Sequence, residues 1–399
     1  MHIGIIKETK VPTDRRVPIT PEAASRLIHL YPEFEISIES SETRCYSDEE
    51  YRKAGIRVTD DLSDCDILAG VKEVGISSLI PGKIYMFFSH TAKKQPHNRI
   101  LLQEIVRKMI TLVDYEYLAD KENSRLVAFG KWAGLVGAYN GLRAFGLRYD
   151  LYDLKPAYQC YDLNRVASEL DKVELPGVKI LITGTGRVAS GAMQMLAPLG
   201  YEIVTPADFL NKEFGKPVIC QLGPWDYVRR KDGEEFDLQH FYYYPGEYDS
   251  TFHPYTTVTD LFIPCHYWNP GSPEFLSKED YRRPDFKISV IADVSCDIKK
   301  PIPSTLRAST IEEPFYGYDP ETCTEGEPFD HKNITVMAVD NLPGELPRDA
   351  SAEFANKLVD DVFPAFLNDR DGIIERATIV REGGLTRNFS YLDDYIHSI

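Results

Sequence analysis

The stretch "GVKILITGTGRVASGAMQMLAPLG" contains a glycine motif between a predicted strand and a predicted helix. The apolar run Val178–Ile182 precedes Gly184, Gly186 and Ala189, which fit G-x-G-x-x-A. Gly184 allows a tight turn, Gly186 lets backbone amides approach a pyrophosphate, and Ala189 lets the helix pack closely on the strand. The stretch therefore predicts a Rossmann-type unit that binds a dinucleotide, NAD or NADP. Arg187 and Val188, within the motif, are also predicted to contact the cofactor.

The acidic residue that would bind the adenosine ribose is less clear in the sequence. Glu202, Ile203 and Val204 form the next predicted strand, and Asp208 lies ~20–25 residues past Gly184, the spacing expected for a ribose-binding acid. Thr205, however, occupies the position directly at the strand end. We predict a role for Asp208, and the choice between NAD and NADP stays open.

The first third of the chain alternates strand and helix patterns, which predicts a parallel sheet with helices on both faces. Three of its apolar runs are predicted strands: Asp66–Val71, Lys83–Phe88 and Met109–Asp114. Ionisable residues follow them: Lys72 and Glu73, then His90 and Lys93, then Glu116. Because ligands bind at the carboxyl ends of parallel strands, these groups are candidates for one active site. The alternative is that polar residues follow strands simply because loops are polar.

The chemistry of these side chains suits proton transfer and anion binding. His90 and Lys72 are candidate acid–base groups, since histidine titrates near neutral pH and burial lowers the pKa of a lysine. Glu73 and Glu116 would raise those pKa values again. The fork of Arg16 fits a carboxylate, with Lys10 and Lys93 as further cations, although a surface salt bridge of Arg16, or a role for Arg15 instead, is an open alternative.

The second half of the chain adds further candidates. Small residues in 131–148 predict a helix that permits close approach of a partner or ligand. The tyrosine-rich segment 224–260 is predicted to be ordered, with Tyr242, Tyr243 and Tyr244 in packing roles. Asp293, Asp340 and Asn341 follow predicted strands and are candidate cofactor-binding residues.

Composition excludes several classes of function. The net charge of −17 disfavours nucleic acid as a partner. No stretch approaches the ~20 apolar residues of a membrane helix, and the amino terminus does not resemble a signal peptide, so we expect a cytosolic protein. The seven scattered cysteines and nine histidines predict neither a disulfide framework nor a metal site. The oligomeric state, including a homo-oligomer, is left open.

Motifs along nearly the whole chain resemble the alanine dehydrogenase and transhydrogenase superfamily, and within it the lysine-forming saccharopine dehydrogenases and lysine–2-oxoglutarate reductases. The resembling stretches are "KETKVPTDRRVPITPEAA", "GVKE", "YMFFSHTAK", "LVDYEYL", "VAFGKWAG", "TGTGRVASGA", "IADVSCD" and "AVDNLPGELPRDAS". The resemblance implies an α/β fold of two Rossmann-like domains with parallel sheets and an active site in the cleft between them. It places a catalytic domain at residues 1–130 plus 345–399 and an inserted dinucleotide domain at 131–344.

The resemblance also implies a reaction, the interconversion of lysine plus 2-oxoglutarate with saccharopine by imine formation and hydride transfer. Lys72 and His90 would be the acid–base pair, Glu73 and Glu116 would modulate them, and Arg16 would hold a substrate carboxylate. Fungal members carry a cysteine where Val188 stands, so a cystine from that position to Cys265 is excluded here. Two alternatives are an alanine dehydrogenase-like enzyme and a non-catalytic dinucleotide sensor.

Overall fold

The computed structural model describes residues 1–397, and these divide into two compact units. Unit 1 comprises Met1–Phe129 together with the chain from Pro347 to its described end. Unit 2 comprises Gly130–Leu346. No helix among the described residues is long and apolar enough to cross a membrane.

The secondary structure alternates strands and helices through both units. The strands are β1 (His2–Ile5), β2 (Glu35–Glu39), β3 (Arg57–Thr59), β4 (Ile67–Ala69), β5 (Ile84–Phe87), β6 (Thr111–Asp114), β7 (Lys179–Thr183), β8 (Glu202–Ile203), β9 (Val218–Leu222), β10 (Val228–Arg230), β11 (Tyr248–Ser250), β12 (Leu261–Pro264), β13 (Val290–Ala292), β14 (Phe315–Asp319), β15 (Thr324–Gly326), β16 (Ile334–Met337), β17 (Thr378–Arg381) and β18 (Gly384–Leu385). The α-helices are α1 (Pro21–Leu30), α2 (Asp48–Lys53), α3 (Arg99–Arg107), α4 (Gly130–Arg148), α5 (Leu163–Glu169), α6 (Arg187–Leu196), α7 (Pro206–Asn211), α8 (Pro224–Tyr227), α9 (Leu238–Tyr243), α10 (His253–Thr256), α11 (Pro347–Lys357), α12 (Phe363–Leu367), α13 (Ile373–Ala377) and α14 (Asp393–His397).

Unit 1 is built on a sheet of order β18-β17-β6-β5-β4-β1-β2-β3. The six strands from β6 to β3 are parallel, and β17 and β18 add to the β6 edge in antiparallel pairing. Both faces are buried: Met86 belongs to one apolar cluster, whereas its neighbours Tyr85 and Phe87 belong to another. The continuous apolar runs of the sequence therefore reflect a sheet covered on both sides.

Unit 2 is built on a sheet of order β15-β14-β16-β13-β12-β7-β9-β8. The strands from β16 to β8 are parallel, and β14 and β15 are antiparallel additions. The two mostly parallel sheets confirm the predicted α/β fold class.

The tyrosine-rich segment is ordered, but its tyrosine run does not pack as predicted. Tyr242, Tyr243 and Tyr244 are 50%, 76% and 57% exposed. Phe241 and Tyr248 form the buried aromatic pair there instead, with ring centroids 4.9 Å apart. Only one side of the short helix α9 faces the core, so consecutive aromatics cannot all be buried.

The small residues of α4 allow it to lie directly on α6. The sequence predicted such a close approach of a partner or ligand to this helix. A Cβ on Gly134 would come 1.8 Å from the Val188 carbonyl oxygen and 2.8 Å from the Ala192 nitrogen. The partner that α4 approaches is thus the helix that follows the glycine motif.

Gly134→Ala should lower the free energy of unfolding by about 3 kcal/mol or more, because backbone atoms of α6 cannot yield to the added methyl group. Urea unfolding measures this. Gly215→Ala is the control, since a Cβ there meets nothing within 4 Å, and it should change stability by less than about 0.5 kcal/mol. Equal stability of both variants would contradict the close helix contact.

Candidate functional site

Four neighbouring parallel strands of unit 1 end at the same edge of its sheet. In the order β1-β4-β5-β6, they are followed by Glu8, by Lys72 and Glu73, by His90, and by Glu116. The predicted strand ends are therefore adjacent. Glu8 likewise follows the carboxyl end of a parallel strand. It was not predicted as a site residue, because only the three strands β4, β5 and β6 were considered.

Glu73 connects two of the predicted site residues, Lys10 and His90. Its Oε2 accepts a hydrogen bond from Lys10 Nζ at 2.8 Å, and its Oε1 lies 3.0 Å from His90 Nδ1. Burial opposes ionisation of Glu73, but the hydrogen bonds with His90 and Lys10 outweigh it and lower its pKa to about 2. The carboxylate is therefore ionised at neutral pH and holds the His90 ring by one nitrogen.

Lys72 is half-buried beside this group. Burial and then the charge of Arg16 lower its pKa, and Lys10 adds to the effect, while Asp14 and Glu73 oppose it. A lysine in this environment releases its proton more readily than an exposed one, which suits an acid–base role.

Glu8 holds the backbone of the Lys72 loop in place. Its Oε1 accepts from the Val71 N–H at 2.6 Å and its Oε2 from the Lys72 N–H at 3.0 Å. Burial raises the pKa of Glu8 to about 7 in spite of these bonds. The side chain thus extends the β1–β4 pairing beyond the last strand residue.

Arg16 is not on the surface. Its side chain is 3% exposed and forms two hydrogen bonds with Asp14, Nε to Oδ1 at 3.0 Å and Nη2 to Oδ2 at 2.5 Å. Its guanidinium carbon lies 4.2 Å from the centroid of the Phe129 ring. Burial opposes the charge of Asp14, but Arg16 outweighs it and holds the pKa of that carboxyl well below its usual range. Asp14 was missed, although its place two residues before Arg16 was a usable signal.

Glu116 and Lys93 form a second pair. Lys93 Nζ lies 2.9 Å from Glu116 Oε1, and Arg125 Nη1 lies 3.9 Å from the same oxygen. Of the two glutamates predicted to modulate His90, Glu73 contacts it, whereas Glu116 contacts Lys93.

Asp114, the last residue of β6, positions both strand ends. Its Oδ2 accepts from the Ser89 N–H at 3.0 Å, next to His90, and its Oδ1 accepts from the Glu116 N–H at 2.8 Å. Asp114 is fully buried, and burial raises its pKa. A carboxylate at a buried strand end was the signal that could have found it.

In unit 2 the glycine motif has the predicted context, with β7 before it and α6 from Arg187 after it. Gly184 has φ +100° and a Cβ there would lie 2.6 Å from the Cys265 carbonyl oxygen, whereas a Cβ on Gly186 meets nothing within 4 Å. A cavity of about 450 Å³ opens at this turn. It is lined by residues that include Gly184, Gly186, Arg187, Val188, His266 and Asp297. The open backbone at Gly186 fits a pyrophosphate, and the buried Ala189 packs α6 on the sheet.

The strand predicted at residues 202–204 is present as β8, but it does not lie beside the strand that precedes the glycine turn. β9 pairs with β7, and β8 lies one strand further out at the sheet edge. Asp208 therefore follows the edge strand, where it is ion-paired with Lys212 at 2.8 Å and its N–H donates to Thr205 Oγ1. The strand next to β7 ends at Leu222, and the first acid after it, Asp226, accepts from the Gly223 N–H at 2.8 Å.

The remaining cofactor candidates lie after β13 and β16. Asp293 is fully buried and accepts hydrogen bonds from Ser295 Oγ at 2.5 Å and Thr305 Oγ1 at 2.6 Å. Burial raises its pKa. Asp293 thus builds the loop that carries Asp297 to the cavity. Asp340, which is exposed, and Asn341 follow β16 after Ala338 and Val339.

The cysteines are free thiols, Cys265 among them. His2, Asp64 and Cys65 bring three potential metal-ligand atoms within 4.8 Å of one another. Arg57 Nη1 already lies 2.8 Å from Asp64 Oδ2, which disfavours a metal cation at that point.

Comparison with known proteins gives relatives across the chain. Residues 4–136 match the family described as alanine dehydrogenase/PNT, N-terminal domain. Alpha-aminoadipic semialdehyde synthase of Arabidopsis thaliana is 31% identical over 98% of this chain and 41% of its own length. Saccharopine dehydrogenase [NAD(+), L-lysine-forming] of Neurospora crassa is 26% identical over 90% of this chain and 88% of its own. The chain is thus similar over most of its length to a lysine-forming saccharopine dehydrogenase. This confirms the resemblance that the motifs predicted.

The lengths and folds of these relatives add two facts. The chain spans less than half the length of the semialdehyde synthases that it matches, 41% for the plant protein and 46% for that of Mus musculus. Among solved structures, an L-alanine dehydrogenase superposes with a TM-score of 0.66 at 17% identity, covering 97% of each chain. A transhydrogenase from Sinorhizobium meliloti gives a TM-score of 0.57. Both likenesses concern the fold alone.

Asp14→Asn should lower the free energy of unfolding by about 3–5 kcal/mol, because it leaves the Arg16 charge buried without its partner. Since the pKa of Asp14 is lowered in the folded protein, its contribution is present above ~pH 4 and is lost as the pH falls through the folded-state pKa. Urea unfolding at pH 7 and at lower pH measures both effects.

The control is Glu325→Gln, which breaks the exposed Arg307–Glu325 pair and should cost less than about 1 kcal/mol. A cost for Asp14→Asn no larger than that of Glu325→Gln would show that the buried pair does not stabilise unit 1.

Proposed function

We propose that this protein is a nicotinamide-dependent oxidoreductase that interconverts saccharopine with lysine plus 2-oxoglutarate. The observation that carries the proposal is the cluster of Lys10, Lys72, Glu73 and His90 at adjacent strand ends. Its residue types match the needs of imine chemistry, in which protons must be moved and carboxylates bound. The names of the relatives support the choice of substrates.

The roles follow from the contacts. In the reductive direction the lysine ε-amine attacks the keto carbon of 2-oxoglutarate, water leaves, and the imine is reduced to saccharopine. Lys72 and His90 would exchange the protons of these steps, with Glu73 holding His90 Nδ1 and leaving the other ring nitrogen for proton transfer. Hydride exchange is the chemistry that the dinucleotide would supply.

Carboxylate binding would use the cations of unit 1. Lys10 and Lys93 are about half exposed, each with one carboxylate partner. Arg16 is paired with Asp14, and its guanidinium would contribute to binding a substrate carboxylate. An anionic substrate would exchange contacts with the carboxylate partners of these cations, Glu73, Glu116 and Asp14.

The cofactor would be held in unit 2 by the turn at Gly184 and Gly186 and the start of α6. The strand beside β7 ends at Leu222, and Gly223 and Pro224 follow it without an acid, so the choice between NAD and NADP is left to the assay below. We also propose unit 1 as the catalytic domain and unit 2 as the dinucleotide domain. A cytosolic location and the absence of a nucleic-acid partner stay predictions.

The deciding assay follows NADH and NADPH oxidation with lysine plus 2-oxoglutarate, in parallel with pyruvate plus ammonia. Oxidation that requires both lysine and 2-oxoglutarate is expected. Activity with pyruvate and ammonia alone would favour an alanine dehydrogenase-like enzyme, for which the shared fold is the supporting observation. Dinucleotide binding without turnover of either pair would favour a sensor.

Lys72→Met should lower turnover by about 10²–10⁴-fold while changing dinucleotide affinity less than about twofold. Lys83→Met is the matched control, because Lys83 precedes β5 at the opposite edge of the same sheet, where its Nζ donates to the Ser63 carbonyl. Turnover that is equal in both variants would remove Lys72 from the proposed chemistry.

Glu73→Gln and Lys10→Met should shift the pH dependence of turnover in opposite directions. The charge of Glu73 raises the pKa of Lys72 and that of Lys10 lowers it. The limb of the pH–rate profile that reports Lys72 should therefore move to lower pH in Glu73→Gln and to higher pH in Lys10→Met. Shifts of the same sign in both variants would assign that limb to another group.

A further inference from the structure

His266 in unit 2 is a buried histidine that belongs neither to the glycine motif nor to the acid–base cluster of unit 1. It lies two residues after β12, with a side chain that is 6% exposed. Its ring stacks on Phe275 with centroids 4.1 Å apart and planes at 22°. Its Nδ1 lies 2.7 Å from Thr183 Oγ1 at the end of β7.

The other ring nitrogen has no hydrogen-bond partner. Nε2 of His266 is buried and unpaired within residues 1–397. Burial lowers the pKa of His266 to about 3, so the ring is neutral at pH 7, with one donor and one acceptor nitrogen. Leaving a buried polar atom without a partner costs about 1–3 kcal/mol, so an unpaired atom of this kind calls for an explanation.

The position of His266 in the sheet explains why its Nε2 has no partner. β7 pairs with β9 on one side and with β12 on the other, so the order of the sheet reverses at β7. Dinucleotides bind at such a reversal, with one mononucleotide half on each side. His266 lines the cavity that Gly184 and Gly186 also line, and it does so from the β12 side.

The backbone of this corner is tightly fitted. A Cβ on Gly184 would lie 2.6 Å from the Cys265 carbonyl oxygen and 3.1 Å from His266 Cα. The glycine turn therefore packs directly against the segment that carries His266. A ligand that lies on the turn also lies beside this histidine.

We propose that His266 is a dinucleotide-binding residue whose Nε2 hydrogen-bonds to a polar group of the nicotinamide half of the cofactor. Thr183 fixes the ring through Nδ1, and Phe275 fixes its plane. The inference rests on the proposed use of a nicotinamide dinucleotide and adds to it a residue and the half of the ligand that it contacts.

The test measures binding by titration calorimetry and does not depend on turnover. His266→Phe keeps the ring and its stack but removes both nitrogens. It should weaken binding of the dinucleotide that the wild type prefers by about tenfold, the equivalent of one hydrogen bond of ~1.4 kcal/mol. Affinity for ADP, which lacks the nicotinamide half, should change less than about twofold.

Two further variants separate binding from packing. His266→Gln keeps a polar atom close to the Nε2 position, and its dinucleotide affinity should lie closer to that of the wild type than to that of His266→Phe. The double variant Thr183→Val, His266→Phe removes the hydroxyl that the single variant leaves unpaired, and should show the same loss of dinucleotide affinity with a higher melting temperature. His331→Phe, at the amino-terminal side of β16, is the control and should leave affinity unchanged.

Equal dinucleotide affinity in the wild type and His266→Phe would overturn the inference and make His266 a packing residue. Equal weakening of ADP and dinucleotide would also overturn it, since that pattern reports damage to the glycine turn. A wild-type protein that binds neither NAD(H) nor NADP(H) would overturn the proposed function together with the inference.

Discussion

The parallel pairing of the strands is the constraint on which both units depend. Parallel strands all end at one edge of their sheet, so residues that are far apart in the chain meet there. In unit 1 this edge brings together the ends of β1, β4, β5 and β6. Glu8 and Asp114 then prolong the ladder by accepting backbone N–H groups beyond the last paired residues, which holds the loops carrying Lys72 and Glu116 in place.

Charge at the unit 1 edge is arranged as one buried and several partly exposed pairs in a chain of strongly negative net charge. Arg16 is neutralised by Asp14, and Glu73 is shared by Lys10 and His90. Burial strengthens the Arg16–Asp14 interaction because the local dielectric constant is low. The same burial and cation neighbours lower the pKa of Lys72, so the features that organise the site also prepare the proposed proton transfer.

The glycine turn of unit 2 serves the fold as well as the ligand. Gly184 is needed because Cys265 lies against it, and Gly134 is needed because α4 lies against α6, whereas Gly186 leaves its space open. Only the open space at Gly186 is a direct requirement for binding a pyrophosphate. The orphaned Nε2 of His266 at the same turn is a cost to the fold, of the kind expected where a protein retains a polar group for binding.

Local pattern in the sequence determined the α/β class, the glycine turn and the strand ends that carry Lys72, His90 and Glu116, because periodicity and turn chemistry act over a few residues. The order of strands was decided only by the tertiary structure, in which β9 pairs with β7 although β8 precedes β9 in the chain. The pairing of Arg16 with Asp14 and the contact of His266 with Thr183 were equally hidden. Such contacts depend on packing between segments that are far apart in the chain, and composition and residue spacing do not predict that packing.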